Sequence, residues 1–111
     1  MKSEVYYFTG TGNSLVVARD LAREIDGELI PIPSAMSNDT IRINTKVAVI
    51  VFPVYMWGIP LIIERFIKKI ENLQDKLVYA IVTYGGMPGA TVNILEKKLT
   101  GYGGKLAAGF T

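Results

Sequence analysis

Thr9-Gly10-Thr11-Gly12-Asn13-Ser14 joins a short apolar run, Val5-Tyr6-Tyr7-Phe8, to a helical pattern that begins at Leu15. A strand that turns through small, hydroxyl-bearing residues into a helix start builds an anion site. The N–H groups of the first helical turn have no partner within the helix, and the helix dipole adds positive potential at that end. Thr9, Thr11 and Ser14 add hydroxyl donors, while Gly10 and Gly12 let the backbone curl closely around a ligand. The segment therefore reads as a phosphate cradle that uses neither lysine nor arginine.

What surrounds it limits the chemistry. With 111 residues, the chain is expected to form one domain over 1–111. Half of its residues are apolar and a fifth are charged, which is a globular composition. No apolar stretch approaches the roughly 18 residues that a membrane span requires. Met1-Lys2-Ser3-Glu4 enters a strand at once with no secretory signal, so a cytoplasmic protein without a membrane partner is the expectation. Cysteine and histidine are both absent, which removes disulfides, thiolate catalysis, the usual zinc ligands and the commonest general base. A net charge of +2, spread over dispersed basic residues, does not point to nucleic acid.

Periodicity places the elements. Residues 4–8 read as a strand, and residues 13–26 as a helix with Leu15, Ala18, Leu21, Ala22 and Ile25 inward and Gly27 as its stop. Residues 28–32 form a short strand, and 34–45 are turn-rich with no helical stripe. Lys46 to Phe52 is a continuous apolar strand, the pattern of one covered on both faces. Pro60 opens a helix in which Leu61, Ile62, Ile63, Phe66, Ile67 and Ile70 form one apolar face. Leu77 to Thr83 is a second buried strand, a helix is expected around 90–100, and 105–111 reads as a fifth strand. This alternation predicts an α/β fold with a doubly wound parallel sheet. The sequence ends with no closing helix. That predicts an exposed apolar surface on one face, a partner such as a second copy that covers it, or a chain cut short.

In such sheets ligands bind beyond the carboxyl ends of the strands, where strand order reverses. Three loops leave those ends: 9–14, 53–59 and 84–89. The second, Pro53-Val54-Tyr55-Met56-Trp57-Gly58-Ile59, holds the chain's single tryptophan, and the third is Tyr84-Gly85-Gly86-Met87-Pro88-Gly89. A phosphate cradle flanked by two aromatic-bearing loops suits a flat, phosphorylated, aromatic ligand. A dinucleotide fingerprint would need glycine where Leu15 stands, and no Gly-Lys-Ser/Thr occurs. Trp57 could instead cap the core, Tyr84 could pack at a rim, and Tyr55 competes with it for a ligand contact.

Residues 9–14 resemble the phosphate loop of the flavodoxins, Trp57-Gly58 resembles their second loop, and Tyr84-Gly85-Gly86 their third. The resemblance spans essentially the whole chain and implies a five-stranded sheet in the order 2-1-3-4-5, here lacking its final helix, with FMN as cofactor. Tyr7 to Ser14 and Phe52 to Tyr55 are most similar to flavodoxin domains fused to a downstream ferredoxin module. By that resemblance, Thr9, Thr11, Asn13 and Ser14 contact the phosphate, and Gly10 and Gly12 supply backbone. Trp57 and Tyr84 flank the isoalloxazine, and Gly58 is the hinge whose carbonyl turns toward the reduced flavin. Pro53, Val54, Tyr55, Met56, Thr83, Gly85 and Gly86 complete the implied cofactor-binding set, with no metal. The implied function is single-electron transfer through the flavin semiquinone to a redox partner protein, of which a ferredoxin-type module is one form.

Two departures from the family pattern bear on function. Flavodoxins tend to be acidic, and they often carry carboxylates beside the flavin. Here Ile59 follows Gly58 and the chain is net basic, so a less strongly reducing flavin and a different docking surface are expected. Two other functions stay open on sequence: a flavin-dependent NAD(P)H or quinone reductase on the same fold, and a protein that keeps the fold without the cofactor.

Overall fold

The computed structural model describes residues 3–9, 13–53, 60–83, 100, 104 and 106–110. Among them β1 (Glu4–Tyr7), β2 (Glu28–Pro31), β3 (Val47–Pro53), β4 (Leu77–Thr83) and β5 (Leu106–Phe110) form one parallel sheet. The first four strands take the expected order 2-1-3-4, and β5 extends the sheet beside β4. Helix α1 (Asn13–Glu24) connects β1 to β2, while α3 (Leu61–Lys69) connects β3 to β4 in the opposite direction along the sheet. Parallel crossovers are right-handed, so these two helices pack on opposite faces.

The faces differ in how fully they are closed. On the α3 face, Tyr6, Ile50, Phe52, Val78 and Val82 pack with Ile63, Phe66 and Ile67 in one large buried cluster. The rings of Tyr6 and Phe66 lie 5.0 Å apart between centroids. Ile32, Ile41, Ile43 and Leu73 close its margins. On the α1 face a smaller buried cluster joins Val5, Val49 and Val51 to Ala18 and Ala22. Beside it Val47, Tyr79 and Ile81 remain half-buried around a cavity of about 280 Å³, which Leu21 and Ile25 also line.

Several local expectations are revised. Helix α1 stops at Glu24, not at residue 26, and Ile25 is 36% exposed rather than inward. The left-handed residue that turns the chain is Asp26 (φ 53°), and the Gly27 N–H then donates to the Ala22 carbonyl at 2.7 Å. Gly27 is needed for space: a Cβ there would stand 3.1 Å from both the Ser3 carbonyl oxygen and Val5 Cγ2. Residue 32 leaves the second strand and opens α2 (Ile32–Ala35), a single turn that runs from the end of the expected strand into the expected loop. Pro31 at its N-cap and Pro33 in its first turn suit a helix start, but four residues cannot display a period. A short 3₁₀ turn at Leu73–Asp75 was likewise not foreseen. The expected helix around 90–100 falls outside the described residues, save for Thr100.

Candidate functional site at the carboxyl edge of the sheet

The position of the site follows from strand direction. All strands are parallel, so Tyr7, Pro53 and Thr83 end on one edge, and β1, β3 and β4 are neighbours in that order. Connections from β1 run one way along the sheet and those from β3 run the other. The reversal between β1 and β3 is the crevice in which open α/β sheets hold their ligands. The Phe8 N–H donates to the Val51 carbonyl at 2.9 Å, which keeps β1 paired with β3 up to the turn.

Helix α1 begins at Asn13, so the positive end of its dipole faces the crevice. No acidic side chain occupies its first turn. Ser14 is buried, and its Oγ lies 2.7 Å from Thr83 Oγ1. Thr83 is the last residue of β4 and is partly exposed. This bond ties the start of α1 to the end of β4, across 69 residues of sequence. Spacing rules could not have found it, because neither residue signals the other along the chain.

Of the expected site residues, the structure brings Thr9, Asn13, Ser14, Pro53 and Thr83 to this edge. Gly10, Thr11, Gly12, Val54, Tyr55, Met56, Trp57, Gly58, Tyr84, Gly85 and Gly86 lie outside the described residues. Among the described side chains at this edge, those of Thr9, Ser14 and Thr83 carry hydroxyls and that of Pro53 is apolar, with no carboxylate to repel an anion. That donor set fits a phosphate ester. Among the described residues no cluster of histidine, cysteine, aspartate and glutamate could hold a metal ion.

The opposite edge has a different character. Glu4, at the start of β1, is only 4% exposed, and its Oε1 accepts from the Tyr6 hydroxyl at 2.8 Å and from the Asn44 N–H at 3.1 Å. Burial, then the hydrogen bond to Glu4 and its negative charge, raise the Tyr6 phenol well above its ordinary pKa. Asn72 pairs with both the N–H and the carbonyl of Ile43, at 2.9 and 2.7 Å. These groups satisfy one another and fasten the loops that precede β3 and β4.

Solved structures share this fold. A candidate flavoprotein from Bacteroides uniformis superposes with a TM-score of 0.77 at 20% identity, over 98% of this chain and 88% of that one. A second candidate flavoprotein, from Bacteroides eggerthii, gives 0.75 at 24% identity over 98% and 86%. The Trp repressor binding protein of Bacillus subtilis gives 0.69 at 16% identity over 98% and 81%. Comparison with curated proteins finds no match. Among the described residues no helix is long and apolar enough to cross a membrane. The model of the flavodoxin domain matches residues 4–108, so with its 2-1-3-4 strand order and its hydroxyl-lined helix start the chain belongs to the flavodoxin-domain family.

Proposed function

We propose that this domain binds FMN and transfers single electrons to and from a partner protein. Family membership indicates a flavin, and the choice of FMN rests on the carboxyl edge. One observation carries it: α1 starts at the β1/β3 switch point with no carboxylate in its first turn and with the Ser14–Thr83 hydroxyl pair beneath it. A terminal phosphate monoester needs that arrangement, because its charge is met by N–H and O–H donors and by the helix dipole.

Thr9, Thr11, Asn13 and the hydroxyl pair would hold the phosphate, with Gly10 and Gly12 leaving room for close backbone approach. Trp57 and Tyr84 would flank the ring and exclude water from it. FMN supplies one-electron redox chemistry when bound, and the protein supplies position and electrostatics. The half-buried strip at Val47, Tyr79 and Ile81 suits a covering partner such as a second copy, and a ferredoxin-type module is one form the redox partner could take.

Flavin released from the purified protein by heat and separated by chromatography tests this reading. It expects one flavin per chain, identified as FMN. A colourless protein that takes up neither FMN nor FAD rejects it. Steady-state NAD(P)H oxidation by the loaded protein then divides carrier from reductase: a carrier oxidises almost none, and sustained turnover would favour the reductase.

A further inference from the structure

We infer that Ser14 and Thr83 act as one donor unit, in which buried Ser14 orients Thr83 and Thr83 alone gives its proton to the phosphate. The inference rests on the FMN reading and assigns roles within that site. The two oxygens lie 2.7 Å apart, within a strong O–H···O bond, and either atom can be its donor. Each hydroxyl carries one proton, so the mutual bond consumes one of the two and leaves the other for a third group. Exposure decides which proton goes outward. Ser14 is 1% exposed, whereas Thr83 is partly open at the carboxyl end of β4.

A proton held inside, with Thr83 Oγ1 at hydrogen-bond distance, is best used in that bond. Ser14 Oγ therefore donates to Thr83 Oγ1, and the Thr83 O–H is turned toward the anion. Donation into Thr83 also polarises its O–H, which strengthens the outward bond. Ser14 is thus a positioning residue, held in place as the second residue of α1. Thr83 is the phosphate ligand, although it lies on the strand that carries the third loop. Phosphate occupancy and the base of that loop then share one hydrogen-bond chain.

The test compares FMN with riboflavin, which has the same ring but no phosphate, by fluorescence quenching on the full chain. Thr83→Val, which keeps the shape and removes the hydroxyl, is expected to weaken FMN about tenfold and leave riboflavin unchanged. Ser14→Ala is expected to weaken FMN by several-fold, also without effect on riboflavin. The double variant should bind FMN no more weakly than Thr83→Val alone, and Thr83→Ser should restore affinity. Circular dichroism confirms that each variant is folded. The assignment is overturned if the two losses multiply, if Ser14→Ala costs FMN affinity while Thr83→Val does not, or if riboflavin loses as much as FMN. A wild-type chain that does not distinguish FMN from riboflavin would instead remove the phosphate reading on which the unit depends.

Discussion

The two edges of the sheet use polar groups in opposite ways. At the amino edge a buried carboxylate, Glu4, takes hydrogen bonds from Tyr6 and Asn44, and Asn72 closes both backbone groups of Ile43. At the carboxyl edge two hydroxyls meet each other, and their bond leaves one proton to give. The first arrangement is complete without a ligand and fastens loops. The second lies beside a helix start with no acidic side chain in its first turn, and in the proposed reading its spare proton goes to an anion. Polarity alone therefore does not mark a site. What marks it is a surplus of donors aimed where a dipole already favours negative charge.

Substitutions at the two edges should separate cleanly. The largest effect is expected at the carboxyl edge: Thr11→Asp sets a negative charge against the phosphate. Repulsion at contact distance should weaken FMN on the order of 100-fold, read by fluorescence titration, with riboflavin far less affected. Equal loss for both ligands would move the cradle elsewhere. Next comes Glu4→Ala at the amino edge. It strands the Tyr6 hydroxyl and the Asn44 N–H, and about 2 kcal/mol of stability should be lost in urea unfolding. The ratio of FMN to riboflavin affinity should not move, and a change in it would break the contrast between the edges.

The smallest effect concerns Tyr6→Phe, which removes one donor from Glu4 and should cost about 1 kcal/mol near neutral pH. Its pH dependence is more telling. The folded pKa of Tyr6 is raised above its ordinary value of 10.0, so folded and unfolded chains hold the proton alike below that value. Above it the unfolded chain releases the proton first, and stability falls as pH climbs toward the raised folded value. The phenylalanine variant should show a flatter decline above about pH 10. If both proteins decline in parallel, Tyr6 is not the group responsible.

Much of this was legible in the sequence, for physical reasons that differ by element. The unbroken apolar run of β3 announced burial on both faces, and six of its seven residues are buried. Helix α3 showed its face through Ile63, Phe66 and Ile67, all buried, although Leu61 in the same stripe is 59% exposed at the helix start. The strand-to-helix junction after β1 was legible because strand, small hydroxyl residues and helix follow one another along the chain. Helix α2 was not, since one turn shows no periodicity. The end of α1 was misplaced because a glycine beyond a helix suggested a left-handed turn, which Asp26 provides instead. The Ser14–Thr83 bond and the Glu4 network were invisible, because they join residues that only the sheet brings together.

The central claim is that the carboxyl edge is built for the phosphate of FMN. Parallel titrations of the flavin-free protein with FMN and with riboflavin test it most directly. Two or more charge-assisted donors on the phosphate predict FMN binding on the order of 100-fold tighter than riboflavin. Equal affinities would contradict the account, since the hydroxyls and the helix start would then contribute nothing to recognition.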